Sequence, residues 1–141
     1  MNVKVFCDSS FNITTKTAII AVLIKVGNKE KPLKSMKKIA CRSSAEAEFR
    51  AINKAVGMIK HYLDYNALPN PCNIEVYCDC RGVIERINRK RILRGVGNGL
   101  SNKLLCDIAK MREKNNMKFI WIPRGLNNEA HMLSIKANAK E

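Results

Sequence analysis

Three acidic residues stand where apolar segments of the chain give way to polar ones. Asp8 follows the alternating segment 3–7, Asp79 closes the apolar segment 73–79, and Glu48 lies early in an amphipathic helix. A carboxylate beside an apolar strand is costly unless a positive group meets it. Carboxylates that converge favour divalent cations, so the sequence predicts a shared metal site. The alternative for each aspartate is an ordinary strand-end or turn residue.

The hydrophobic pattern predicts the elements that position these residues. Strands 3–7, 17–26 and 34–41, joined by short turns, predict an antiparallel meander, and the lysines of the third strand suit a sheet edge. The other predicted elements are a helix that begins at Ser43, a strand 73–79, helices 81–88 and 100–113, a strand 117–122, a loop 123–126 and a helix 127–137. The fold class is therefore α+β (mixed α/β): one domain over residues 1–141, with a five-stranded mixed sheet and helices on both faces.

The first helix has the clearest local pattern. Ser43 followed by Glu46 is typical of a capping box, and Glu46 and Arg50 are expected to pair on the solvent face. One apolar stripe follows from spacings of three and four, formed by Ala45, Phe49, Ile52, Val56, Ile59 and Leu63. We expect this stripe to pack on the sheet with Glu48 at its border. Trp121, in the last strand, is assigned to the core.

Charge and cysteine content limit the functional class. Lys and Arg number 26 against 12 Asp and Glu, a net charge of +14, which indicates a polyanionic partner. A membrane is disfavoured because the longest apolar run, 18–24, is far shorter than the roughly 20 residues of a spanning helix. The six cysteines are expected to be reduced in a cytoplasmic or nuclear setting. Cys78 and Cys80 are expected to point away from Asp79, and no second pair suggests a zinc finger.

Four segments, in this order, resemble the type 1 ribonuclease H family over nearly the whole chain. Cys7-Asp8-Ser9-Ser10 resembles its D-G-S motif, and the segment 43–51 resembles its T-N-N-x-x-E-x-x-A helix start. Tyr77-Cys78-Asp79-Cys80 is similar to its D-S or D-N motif. The segment 124–131 is similar to the R-x-x-N-x-x-A-D segment of the compact members, with His131 in place of the last aspartate. The segment 43–48 also resembles copia-type retroelement domains, so the genomic origin stays open.

The resemblance implies a metal-dependent endoribonuclease that hydrolyses the RNA strand of RNA–DNA hybrids. Two ions, Mg²⁺ or Mn²⁺, would lie about 4 Å apart. Asp8 would bridge them, Glu48 and Asp79 would complete one site, and His131 would hold the other ion. A nitrogen ligand and one lost negative charge predict weakened or Mn²⁺-preferring activity. The alternatives are a catalytically feeble nucleic-acid-binding module, in which His131 is an ordinary helix histidine, and a DNA nuclease or recombinase of the same superfold.

The resemblance also implies residues that contact the substrate. They are Ser9, Ser10, Ser43, Ser44, Arg89, Lys90, Arg91, Arg94, Asn102 and Arg124. Ser43 and Ser44 fall where the family meets the minor groove and the 2′-hydroxyls that distinguish RNA from DNA. The run 89–94 resembles a shortened basic protrusion that grips phosphates, although a solvated loop is its simpler interpretation. An RNA–DNA hybrid is the expected partner. We expect a monomer with no membrane association and no organic cofactor.

Overall fold

The computed structural model describes residues 2–28, 31–65, 67–68, 71–89 and 98–139, with only the backbone of 98–101, 133 and 135–139. Five strands in these ranges form one sheet: β1 (Asn2–Asn12), β2 (Thr17–Val26), β3 (Leu33–Ala40), β4 (Asn73–Cys78) and β5 (Asn116–Trp121). The described helices are α1 (Ser44–Asp64), α2 (Arg81–Asn88), α3 (Asn98–Arg112) and α4 (Asn128–Ala139), and a 3₁₀ turn (Arg124–Leu126) precedes α4.

The strand order is β3-β2-β1-β4-β5, with β1, β2 and β3 antiparallel and with β4 and β5 parallel to β1. The predicted meander and the mixed five-stranded sheet are therefore confirmed. β3 is an edge strand and exposes its lysines, as its sequence predicted. β2 is buried almost throughout because α1 and α4 both pack against it.

The main core lies between the sheet and α1. Alternate residues of β1 and β2 point to this side, where they meet the apolar stripe of α1. The residues of α1 that are buried there are Phe49, Ala51, Ile52, Ala55, Val56, Ile59 and Leu63. Ala45 was expected in this stripe but is exposed, because the stripe begins one turn into the helix, after the capping residues.

The start of α1 differs from a simple capping box. Ser43 Oγ accepts a hydrogen bond from the backbone N–H of Glu46 at 3.1 Å, as predicted. The Glu46 carboxylate turns back and accepts the backbone N–H of Arg42 at 3.0 Å. It also lies 3.6 Å from the Arg50 guanidinium, so the predicted pair exists. Its placement on the solvent face was wrong, since Glu46 is buried between these two arginines.

β1 does not end at Asp8, as the sequence had suggested. It continues to Asn12, and Asp8 is paired with Ala21 of β2 in the middle of the strand. The strand continues because residues 9–12 keep their pairing with β2. On its other side, β4 stops at Cys78, opposite Cys7. The sheet therefore divides beside Asp8.

Two expectations about the ends of β4 and β5 were also wrong. Asp79 lies beyond the last residue of β4, so strand alternation no longer applies to it, and Cys78 does not point away from it. Trp121 is 38% exposed because it ends an edge strand. One face of its ring is covered by the Arg81 guanidinium, 4.5 Å from the ring centre.

Candidate active site

Asp8 provides a fully buried carboxylate at the division of the sheet. Its Oδ2 lies 2.9 Å from Nδ1 of His131, a half-buried histidine in the first turn of α4. Its Oδ1 is also buried, and no described group donates a hydrogen bond to it. Burial raises the pKa of Asp8, and the nearby charge of Asp79 raises it further. The amide of Ser9 and the side chain of His131 oppose this rise.

Glu48 enters the same site from α1. Its Oε1 accepts a hydrogen bond from Ser9 Oγ at 2.7 Å, and its Oε2 lies 3.5 Å from Cys78 Sγ. Burial is the main reason that the pKa of Glu48 rises from 4.5 to about 8. The hydrogen bond from Ser9 opposes this rise, and the charges of Asp8 and Asp79 add to it. Without a cation, Glu48 is therefore largely neutral near pH 7.

Asp79 is the third carboxylate. Its side chain is only 7% exposed, and its Oδ2 lies 3.6 Å from Nε of the exposed Arg124. This oxygen accepts no hydrogen bond from the described residues. The indole N–H of Trp121 donates to the backbone carbonyl of Asp79 at 3.1 Å, which fixes the chain just after β4.

Two of the three carboxylates lie close together, with a thiol beside them. Ligand atoms of Glu48, Cys78 and Asp79 all lie within 4.8 Å of one another. Asp8 is electrostatically coupled to both acidic residues. Its charge raises the pKa of Glu48, and the charge of Asp79 raises the pKa of Asp8. Asp8 Oδ1 and Asp79 Oδ2 are buried and receive no hydrogen bond from the described residues, and such surroundings favour a divalent cation. The residues present therefore fit a divalent metal ion, with one imidazole and one thiol beside the carboxylates.

α4 is held against β1 by a side chain to which the sequence had given no role. Asn127, just before α4, is buried and donates from Nδ2 to the backbone carbonyl of Cys7 at 2.8 Å. The N–H of His131 then bonds to the Asn127 carbonyl at 3.0 Å. Lys25 and Glu129 form a further ion pair at 2.6 Å between β2 and α4. The asparagine in the R-x-x-N segment is the sequence signal for this anchor. Cys78 was missed as a site residue because strand alternation predicted that its side chain points away from Asp79.

The residues expected to contact substrate take different places. Ser9 is buried and bonded to Glu48, whereas Ser10 is half-buried beyond it on β1. Ser43 caps α1 and is half-buried, and Ser44 is exposed beside it. The exposed basic and amide side chains are Arg124 beside Asp79, Arg89 at the end of α2, and Asn102 on α3. Lys90, Arg91 and Arg94 lie outside the described residues.

No helix among the described residues combines the length and apolar character needed to cross a membrane. None of the six cysteines, all of which are in the described part of the chain, is in a disulfide.

A mixed sheet of this order, with acidic side chains gathered where its central strands part, defines the class of ribonuclease H-like nucleases. The RNase H family model matches residues 1–136. The chain therefore belongs to the RNase H family, and its enzyme class is that of a ribonuclease H-type endonuclease, a hydrolase. No curated protein matches the chain by sequence.

Solved structures share this fold at low sequence identity. RNase H1 from the halophilic archaeon Halobacterium salinarum NRC-1 is 14% identical with a TM-score of 0.73, and the match covers 100% of both chains. LC11-RNase H1 in complex with an RNA/DNA hybrid is 20% identical with a TM-score of 0.70, and the match covers 99% of both chains. The N-terminal RNase H domain of Rv2228c from Mycobacterium tuberculosis is 17% identical with a TM-score of 0.70, over 96% of this chain and 92% of that one.

Proposed function

We propose that this chain hydrolyses the RNA strand of RNA–DNA hybrids with divalent ions held by Asp8, Glu48, Asp79 and His131. The observation that carries the proposal is the pair of buried carboxylate oxygens, Asp8 Oδ1 and Asp79 Oδ2, to which no described group donates a hydrogen bond. Such oxygens are costly to bury unless a cation meets them. The likeness to LC11-RNase H1, which was solved with an RNA/DNA hybrid, supports the substrate class.

The protein itself contributes the position of the ligand side chains and the charges around them. When bound, divalent ions would supply Lewis acidity at the attacking water and at the leaving oxygen. Ser9 orients Glu48 through its 2.7 Å hydrogen bond, so that one carboxylate oxygen keeps a fixed direction. Arg124 is exposed beside Asp79 and is suited to a substrate phosphate, because guanidinium binds phosphate oxygens in a planar fork.

His131 determines how strongly the site holds its ions. Its Nδ1 is already engaged with Asp8 Oδ2 at 2.9 Å. To ligate an ion through that atom, the imidazole must give up this contact. A neutral nitrogen also suits Mn²⁺ better than Mg²⁺, which prefers oxygen ligands. We therefore expect hybrid cleavage in Mn²⁺ to exceed cleavage in Mg²⁺.

The same contact favours a second candidate function, a nucleic-acid-binding module with feeble catalysis. If His131 remains paired with Asp8, the first carboxylate is partly neutralised and the site attracts cations less strongly. The basic composition would still bind hybrids or structured RNA through phosphates.

One assay separates the two functions. Labelled hybrid, duplex RNA and duplex DNA are each incubated with the full chain in Mg²⁺ and in Mn²⁺. We expect cleavage of the RNA strand of the hybrid alone, and Asp8→Asn should abolish it in both metals. Binding of hybrid without cleavage in either metal would favour the module.

Substitutions at His131 then test its role. His131→Asp should raise cleavage in Mg²⁺, because it supplies a hard oxygen ligand and one more negative charge. His131→Ala should reduce cleavage in Mn²⁺, since it removes the nitrogen ligand. Unchanged cleavage by His131→Ala would show that this residue is not a ligand. A wild type that cleaves nothing, beside an active His131→Asp, would identify the chain as a binding module.

A further inference from the structure

The thiol of Cys78 lies among the carboxylates of the site. Its Sγ belongs to the group of ligand atoms, with those of Glu48 and Asp79, that lie within 4.8 Å of one another. We propose that these three residues form a thiolate-containing site for a thiophilic divalent cation, Zn²⁺ in the first instance. We further infer that Zn²⁺ bound there inhibits hydrolysis. This inhibition rests on the proposed function, whereas Zn²⁺ binding does not.

The geometry around the sulfur supports a role as a ligand. Cys78 is completely buried, and its Sγ is 3.5 Å from Glu48 Oε2. The backbone N–H of Cys80 donates to the same sulfur at 3.4 Å. This donor stabilises negative charge on sulfur, as outer-shell hydrogen bonds do at metal centres. The thiol is therefore directed at the Glu48 carboxylate, and its sulfur already accepts one backbone donor.

Asp79 gives an independent indication that a cation belongs here. Its side chain is 7% exposed, and its buried Oδ2 accepts no hydrogen bond from the described residues; the nearest cation is Arg124, with Nε at 3.6 Å. An exposed guanidinium therefore compensates this oxygen only in part, and a divalent cation beside the thiol and the second carboxylate would stabilise it further.

The mixture of donor atoms selects the type of ion. Zn²⁺ accepts thiolate and carboxylate ligands in a tetrahedral site, and water fills a fourth position when the protein offers three. Mg²⁺ requires oxygen ligands and disfavours sulfur. On binding, the S–H bond breaks, its proton passes to solvent and an S–Zn bond forms without change of oxidation state. A zinc-finger pair is not required, because α1 supplies Glu48 and the residue that follows Cys78 supplies Asp79.

Blockage follows from shared ligands. Glu48 and Asp79 cannot serve Zn²⁺ with the thiolate and, at the same time, keep the arrangement that hydrolysis requires. We therefore expect Zn²⁺ to compete with Mn²⁺ or Mg²⁺ for the site, and the inhibition to be relieved by a chelator.

Binding is tested without reference to activity. The full chain, reduced and freed of metal, is titrated with Co²⁺ as a spectroscopic probe and with Zn²⁺ by calorimetry. We expect one sulfur-ligated cation per chain and a sulfur-to-cobalt charge-transfer band in the near ultraviolet. Cys78→Ser should remove the band and weaken Zn²⁺ binding by at least about tenfold. Cys106→Ser, at the exposed cysteine of α3, is the matched control and should change neither.

A second variant keeps the test informative if Cys78→Ser folds poorly. Glu48→Gln retains the thiol and its surroundings but removes one carboxylate ligand, so it should weaken Zn²⁺ binding and keep a shifted sulfur band. Wild type without the band, or Cys78→Ser with unchanged Zn²⁺ affinity, would overturn the thiolate site. If Zn²⁺ binds tightly and Mn²⁺-dependent cleavage is unchanged, the claim that Glu48 and Asp79 are shared ligands is wrong. A chain that binds Zn²⁺ through Cys78 but cleaves no hybrid would refute the proposed function and leave this site standing.

Discussion

Glu48 is a carboxylic acid in surroundings that favour its neutral form. Its pKa of about 8 in the folded chain lies above the ordinary 4.5, mainly because of burial. Below about pH 4.5 both the folded and the unfolded state hold the proton. As the pH rises to about 8, the unfolded state releases it first, so the metal-free protein loses stability over this window.

Glu48→Gln should therefore stabilise the metal-free protein at pH 8 and leave its stability nearly unchanged at pH 4. One pKa unit corresponds to about 1.4 kcal/mol, so the gain is at most a few kcal/mol. The glutamine can still accept the hydroxyl of Ser9. Denaturant unfolding in a chelator across this pH range measures the difference.

Glu113→Gln, at an exposed position after α3, controls for the loss of one negative charge. If Glu48→Gln were less stable than wild type at pH 8, the carboxylate would be ionised and supported by the fold, contrary to this expectation.

Single residues were the part of the site that the sequence predicted least completely. The sharing of one metal site by Asp8, Glu48 and Asp79 stays a prediction, whereas the proximity of Glu48 and Asp79 followed from motifs on elements whose order was recognisable. The closeness of Cys78 to Glu48 did not, because it depends on where β4 ends and on a helix that lies 30 positions earlier. The burial of Glu46 depends in the same way on two arginines that turn toward it.

At the scale of elements, α4 is attached to the sheet by one buried amide. The Asn127 Nδ2 donates to the Cys7 carbonyl, and the backbone N–H of His131 donates to the backbone carbonyl of Asn127. Asn127→Ala should cost about 1–3 kcal/mol of unfolding free energy, since it leaves a buried carbonyl without a donor. It should also reduce metal-dependent cleavage, because the turn that carries His131 is no longer fixed to β1 by the Asn127 side chain.

Asn128→Ala, at the exposed neighbour, is the control and should change both quantities little. Unfolding by denaturant and hybrid cleavage in Mn²⁺ provide the two measurements. Equal effects of the two substitutions would show that the amide anchor is unimportant.

Most elements could be predicted because the periodicity of their apolar residues matches the faces that the fold buries. The continuous apolar run of β2 indicated a strand covered on both faces, and the spacing in α1 indicated one buried stripe. Prediction failed where a boundary depends on a neighbouring strand. Asp8 lies within β1 because β2 continues beside it, and Trp121 is exposed because β5 is an edge strand of the described sheet.

At the scale of the whole molecule, the net charge of +14 should dominate affinity for hybrids. Neutralising Arg89, Lys90, Arg91 and Arg94 should reduce the slope of log K against log salt by about 0.7–0.9 per lost phosphate contact. Binding is measured over a series of salt concentrations with the Asp8→Asn variant, so that cleavage does not interfere.

The matched control neutralises four lysines on and before the edge strand: Lys31, Lys34, Lys37 and Lys38. This variant loses the same charge from an exposed strand and should keep nearly the full slope. Equal losses in the two variants would mean that the run 89–94 is only one part of a diffuse basic surface.

The contact between Asp8 and His131 joins positions that are 123 residues apart. A ribosome adds about 5–20 residues per second, so the second partner is synthesised roughly 6–25 s after the first. During that interval a nascent chain can pair its first strands before His131 is synthesised. Under the proposed function, the chain would therefore gain its fourth ligand only after all five described strands have been synthesised.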